Sequence, residues 1–96
     1  MSSKQLHVIK PKDNRQAQIE ALEVGSSVAI AQRVLINFGV ADGVFKFHKD
    51  RLRAILEQQA IRARSRIAEA RYTIEVGNYL SHVEAVLIVA VITRIN

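Results

Sequence analysis

The chain of 96 residues is 49% hydrophobic, which provides enough apolar surface for one domain with a buried core and excludes wholesale disorder. It contains no cysteine, so disulfides, thiolate chemistry and cysteine-based zinc sites are excluded. Lys and Arg number 14 against 9 Asp and Glu, a net charge of +5 that favours an anionic partner such as nucleic acid, an anionic membrane or an acidic protein.

The chain carries no segment that indicates export or membrane insertion. Residues 1–7 lack the apolar stretch of a secretory signal. The longest apolar run, residues 85–92, has eight residues, far fewer than the ~20 that a membrane-spanning helix needs. We therefore expect a soluble cytoplasmic protein without a membrane partner, built as a single domain over residues 1–96.

The first element predicted along the chain is a short edge strand. Leu6, Val8 and Ile9 give a brief apolar run, and Pro11 ends it. Residues 1–18 are otherwise polar, so they are treated as an arm of the domain that is part-flexible.

Residues 19–39 fit two structures. A helical period runs through Ile19, Leu22, Ala29, Arg33 and Val34, and short apolar runs do not decide between helix and strand. The interpretation we favour is a turn at Gly25, a strand over residues 28–30, and a short helical segment over residues 32–37.

The firmest prediction is a long helix over residues 50–70. Before it, Asp42–Gly43 indicates a turn and residues 44–48 alternate as in a strand. From residue 49 the period changes to 3.6, and the apolar positions form one narrow stripe that comprises Leu52, Leu56, Ala60, Ala63, Ile67 and Ala70. Alanine is frequent in this stripe, so its partner should approach closely.

The chain should end in a β-hairpin. Residues 71–76 alternate as a strand, Gly77–Asn78 predicts a loop of about six residues, and residues 84–95 form a second strand that is apolar on both faces. One helix covers only one of those faces, so we predict a homodimer through residues 84–95. The fold class predicted is α+β, with one long Arg-rich amphipathic helix packed on a small, mainly antiparallel sheet that includes this hairpin.

The excess charge is concentrated in residues 46–71. Three acids oppose eight cations there, which leaves +5, and the cations are Lys46, Lys49, Arg51, Arg53, Arg62, Arg64, Arg66 and Arg71. On a helical wheel the arginines form two rows beside the apolar stripe, one with Arg51, Arg62 and Arg66 and the other with Arg53, Arg64 and Arg71. These rows are candidate phosphate contacts. The alternative is a solvated rim around a packed helix, with Glu57 and Glu69 as partners.

Two aromatic residues lie beside the first of these cations. In the alternating segment, Phe45 and Phe47 would share one strand face, interleaved with Lys46. Aromatic rings beside lysines stack on unpaired bases in single-strand binders. The same alternation also fits two phenylalanines in the core.

The sequence carries no sign of catalysis. His7, His48 and His82 lack the spacing of metal ligands. A glycine-rich phosphate loop and a nucleophile elbow are both missing. We therefore expect a non-enzyme that uses neither a metal nor a cofactor.

Three segments have a family resemblance. Residues 19–28 (IEALEVGSSV), 71–74 (RYTI) and 91–95 (VITRI) resemble a loose pattern in small bacteriophage-encoded proteins of unassigned role. In those proteins a leucine-rich stretch ends in a Val-Gly-Ser turn and strand, and the chain closes on a strand ending in Arg-Ile or Arg-Val. The resemblance implies a phage or mobile-element origin and brings no active site with it.

The function predicted from these observations is that of a small accessory or regulatory protein that binds DNA or RNA. The basic helix would contact phosphates without catalysis. The alternative is an adaptor or inhibitor that docks its basic face on an acidic partner protein.

Overall fold

The computed structural model describes residues 7–10, 14–35, 42–82 and 85–96. Its elements in chain order are β1 (His7–Val8), α1 (Arg15–Glu20), β2 (Ser27–Leu35), α2 (Asp42–Arg66), β3 (Tyr72–His82) and β4 (Ala85–Arg94). The strands form one sheet in the order β1-β2-β4-β3, in which β1 is parallel to β2 and the other pairs are antiparallel. The predicted α+β fold, with one long helix and a C-terminal hairpin, is confirmed.

The core lies between α2 and one face of the sheet. Leu56 and Ala63 of α2 are fully buried, as are Ile88 and Ile92 of β4, which belong to the same apolar cluster. Burying a leucine or isoleucine side chain stabilises a fold by about 1.5–3 kcal/mol. The predicted stripe is confirmed as the buried side of α2, although Ile67, just beyond the helix, is only half-buried.

The helix begins earlier than its sequence suggests, at Asp42. The strand predicted over residues 44–48 is therefore wrong. An alternation of five residues is short enough to fit a helix as well, and here Phe45 lies seven residues before Leu52. That spacing places both side chains on one side of the helix, so Phe45 packs against the core that Leu52 enters.

Both strands that flank β4 are longer than predicted, because β4 supplies backbone partners along its whole length. Strand β2 pairs with β4 as far as Leu35, so the helix predicted over residues 32–37 is wrong for residues 32–35, and residues 36 and 37 lie outside the described ranges. Strand β3 continues through Gly77, which pairs with Val89, and a loop opening there is also wrong.

The N-terminal part contains an edge strand and a helix that was not predicted. Strand β1 lies at the sheet edge, as expected, although Leu6 and Pro11 fall outside the described residues. Helix α1 begins after Asn14, whose side-chain oxygen accepts a hydrogen bond of 3.0 Å from the backbone N–H of Ala17. This N-cap satisfies one of the unpaired donors of the first turn. Within the described ranges, no helix is long and apolar enough to span a bilayer.

Candidate nucleic-acid interface

The candidate interface is the solvent side of α2. This helix contains seven cations and three acids. Its central sequence is rich in Arg, Leu, Gln and Ala, all good helix formers, which keeps 25 residues in one continuous helix. Because the apolar stripe turns toward the sheet, the charged positions on the flanks and back of α2 are directed to solvent.

One row of cations lies on the β3 side of the helix. Lys46, Arg53 and Arg64 are exposed there, and Nη1 of Arg53 donates a hydrogen bond of 3.3 Å to the backbone carbonyl of Ile74. Lys46, Lys49 and Arg53 line a cleft of about 330 Å³ between α2 and β3. Asp50 also lines this cleft and offsets part of its positive charge.

The other row lies on the side of α2 that faces β2 and α1. Arg51 lines a second cleft, of about 200 Å³, together with Arg15 and Gln32, and no carboxylate is among the described residues that line it. The Nε atom of Arg15 is buried and has no hydrogen-bond partner in the described part of the chain. Arg62 is exposed on the same side of the helix.

Three of the eight predicted cations are held by the protein itself: Arg53, by the carbonyl of Ile74 as described above, and also Arg66 and Arg71. Arg66 donates from Nη1 to Oε1 of Glu20 at 3.1 Å. Arg71 lies beyond the end of α2, and its Nη1 donates to the carbonyls of Ala68 and Ala70 at 3.0 and 2.8 Å. The helix-wheel placement of Arg71 is therefore wrong, because α2 ends at Arg66 and the chain turns before β3.

The remaining cations have no such partner. Within the described ranges, no hydrogen bond or ion pair involves the side chain of Lys46, Lys49, Arg51, Arg62 or Arg64. We call the four exposed members of this set, Lys46, Arg51, Arg62 and Arg64, the unpaired cations of α2. Lys49 is half-buried in the β3-side cleft.

The two phenylalanines face different directions, because they lie in a helix rather than a strand. Phe45 is partly buried and packs against the core. Phe47 is 63% exposed, and its ring meets that of His48 edge to face at a centroid distance of 5.4 Å. Two positions along a helix correspond to a rotation of about 200°, so the rings cannot share a face. Of these two rings, that of Phe47 is the exposed one.

The histidines are distributed over three elements. His7 lies in β1, His48 in α2 and His82 at the end of β3. In the part of the chain that the structure describes, no three His, Asp or Glu side chains are grouped so that they could hold a metal ion.

Sequence reasoning missed three polar residues of the two clefts, Arg15, Gln32 and Asn78. The helix that positions Arg15 could have been predicted from Asn14, because an Asn before a segment with helical potential is typical of a helix N-terminus. Gln32 and Asn78 enter the clefts because β2 and β3 extend further along β4 than local turn signals indicate.

The sequence model of a family described as a domain of unknown function, DUF7609, matches residues 13–96. The matched range includes every helix and strand except β1, and therefore both sides of each cleft. No curated protein and no solved structure gives a significant match to the chain.

Proposed function

The chain belongs to the DUF7609 family, and we propose that it is a small non-catalytic nucleic-acid-binding protein, accessory or regulatory in role, whose helix α2 contacts phosphates. The observation that carries the proposal is the set of unpaired cations of α2. Guanidinium and ammonium groups that are exposed and lack protein acceptors remain available for phosphate oxygens.

The dimensions of α2 support this function. A helix of 25 residues is about 37 Å long, close to one turn of duplex DNA, and its diameter of about 10–12 Å matches a major groove about 12 Å wide. In the proposed complex, cations on the two flanks of the helix contact phosphates of opposite strands. Phe47, on the exposed side near Arg51, adds a surface on which an unpaired base can stack.

The salt dependence of binding tests the proposal. If the unpaired cations of α2 each neutralise one phosphate of a random duplex, the logarithm of the binding constant should fall against the logarithm of salt with a slope of about −3.6. The double variant Arg51→Gln, Arg62→Gln should flatten that slope by ~2 and weaken binding to all sequences alike. Fluorescence anisotropy over a salt series measures both effects.

A matched double variant provides the control. Arg66→Gln with Arg71→Gln makes the same chemical change at residues already bonded to Glu20 and to main-chain carbonyls, so the slope should change much less. Equal effects of the two double variants would mean that overall positive charge, and not contact by the unpaired cations of α2, determines the affinity. Absence of binding to any DNA or RNA at low salt by the folded protein would remove the proposal.

A second function, docking on an acidic partner protein, is favoured by one observation. Ile61 is 56% exposed on α2, with Arg62 and Arg64 nearby, and an apolar anchor with a charged surround is typical of protein interfaces. The variant Ile61→Ser separates the two functions. It should leave phosphate binding intact, whereas it should weaken the complex with an acidic protein if that partner buries Ile61.

A further inference from the structure

The sheet has a second apolar face, on the side opposite α2. Strand β4 turns Ile88, Ala90 and Ile92 into the core, and the residues between them point to the other side. We call this side the open face and define it by Ala31, Arg33, Glu75, Leu87, Val89 and Val91. In the described ranges both helices lie on the core side, since α1 contacts α2 and α2 packs on the sheet.

The side chains of the open face remain partly in water in the single chain. Leu87, Val89 and Val91 are half-buried. Leu35, two residues after Arg33 on β2, is 60% exposed. An apolar strand face of this kind is normally covered by a second layer.

We propose that a second copy of this chain covers the open face, in a homodimer with twofold symmetry in which two sheets pack face to face around Val89. The proposal is independent of nucleic-acid binding, because it concerns the side of the sheet that faces away from α2.

The charges on the open face are arranged for such a twofold axis. Arg33 of β2 pairs in register with Leu87, two residues before Val89, and Glu75 of β3 pairs with Val91, two residues after it. The two charged residues therefore lie diagonally on opposite sides of Val89. A twofold axis that lies between the two sheets, parallel to both and perpendicular to that diagonal, places Arg33 of each copy over Glu75 of the other. The strands of the two sheets then cross steeply, as in orthogonal sheet packing.

The shape of the open face also suits a copy of itself. Val89 is flanked across the sheet by Ala31 on β2 and by Gly77 on β3. A valine between two positions with little or no side chain forms a ridge with a shallow groove on each side. When two such faces pack around an axis at Val89, the two valines meet, and the low positions beside each of them leave room for the neighbouring side chains of the other copy.

The area of the open face is close to that of a stable dimer interface. Three strands of about 30 Å or slightly more and the two-residue β1, spaced by about 4.8 Å, give a flat face of roughly 500 Å². Specific interfaces bury about 600–1,000 Å² on each partner, so the open face supplies most of the lower value and its margins supply the rest.

Sedimentation equilibrium of the full chain, without nucleic acid, tests the proposal. At micromolar concentration the wild type should have twice the 10.8 kDa mass of one chain. Val89→Glu should raise the dimer dissociation constant at least ~100-fold, because two carboxylates would be buried near the axis without partners. Ala31→Glu should act in the same direction. Since Ala31 is exposed in the single chain, this variant keeps its fold and the test does not depend on Val89 alone.

The control places the same charge on the other side of the molecule. Ile61→Glu, on the exposed surface of α2, should leave the dimer unchanged. A wild type of 10.8 kDa at high micromolar concentration would overturn the proposal. So would a dimer that persists in folded Ala31→Glu, or one that dissociates only in Ile61→Glu, which would assign the interface to α2.

Discussion

The Nη1 atom of Arg66, in the last turn of α2, lies 3.1 Å from Oε1 of Glu20 at the end of α1, and this ion pair joins the two helices through residues that are 46 positions apart in the sequence. The other carboxylate oxygen of Glu20 accepts a hydrogen bond of 2.8 Å from Nε2 of Gln16. Glu20 therefore connects its own helix to the C-terminal end of α2.

The Glu20–Arg66 pair should contribute little to stability and its contribution should depend on salt. Arg66 is 72% exposed, so water and ions screen the pair. Glu20→Gln, which keeps an oxygen for Gln16, should lower the free energy of unfolding by ~0.5–1 kcal/mol at low salt and by less at high salt. Urea denaturation at two salt concentrations measures this, with the exposed Glu23→Gln as control. A loss that salt does not change would mean that the carboxylate acts through packing.

A larger side chain at Ala63 should destabilise the fold. Ala63 is fully buried where α2 meets the sheet, so Ala63→Leu should overpack the core and cost ~1–3 kcal/mol. Ala54 lies in the same helix and is exposed; Ala54→Leu should stay within ~0.5 kcal/mol of the wild type. Thermal and urea unfolding compare the two variants, and equal tolerance at both positions would contradict the packing of α2.

Phe45 and Phe47 should respond oppositely to truncation. Phe45→Ala removes a ring packed against the core and should cost ~1–3 kcal/mol of stability. Phe47→Ala removes an exposed ring, so stability should change by less than ~0.5 kcal/mol. If Phe47 stacks on a base, the affinity for a single-stranded oligonucleotide should fall by ~1–3 kcal/mol in that variant. Single-strand affinity that is unchanged in Phe47→Ala would exclude stacking at this ring.

Tyr72 should make the protein sensitive to alkaline pH. Burial raises the pKa of its phenol above the ordinary 10.0, the positive charge of Arg94 lowers the pKa in part, and Glu20 raises it. A raised folded-state pKa means that the stabilising contribution is complete below pH 10 and is lost as pH rises from the unfolded pKa through the folded one.

The variant Tyr72→Phe tests this dependence. It should flatten the decline of unfolding free energy above pH 10. At neutral pH it should cost little or nothing, since the hydroxyl oxygen is buried without a hydrogen-bond partner in the described ranges. An unchanged alkaline decline would assign it to other groups.

The parts of the fold that the sequence predicts are those in which burial follows a regular period. The stripe that contains Leu56 and Ala63 repeats over many residues, and β4 is a long apolar run rich in β-branched residues, so the helix and the hairpin could be derived from them. Residues 44–48 and Gly77 could not be placed correctly, because the signals there are short and a distant partner decides the outcome. For Gly77 that partner is Val89. Pairing with β4 continues β3 through Gly77–Asn78, a dipeptide that is typical of turns.

The candidate site was predictable in composition but not in detail. Exposure of Arg51, Arg62 and Arg64 follows from their positions beside the apolar stripe. That Arg66 is bonded to Glu20 depends on where α1 packs, and no local pattern encodes it. The hydrogen bonds of Arg71 likewise depend on where α2 ends.

The strand order also predicts the order in which the strands pair during folding. The hydroxyls of Ser27 and Thr93 lie 2.6 Å apart although 66 residues separate them, because β2 pairs with β4 across α2 and β3. Closing so long a loop is slow compared with forming the β3–β4 hairpin. We therefore expect β2 to dock late, after an intermediate in which one edge of β4, apolar on both faces, lacks its partner strand. Refolding yield should then fall as protein concentration rises, since that edge can pair with another chain first.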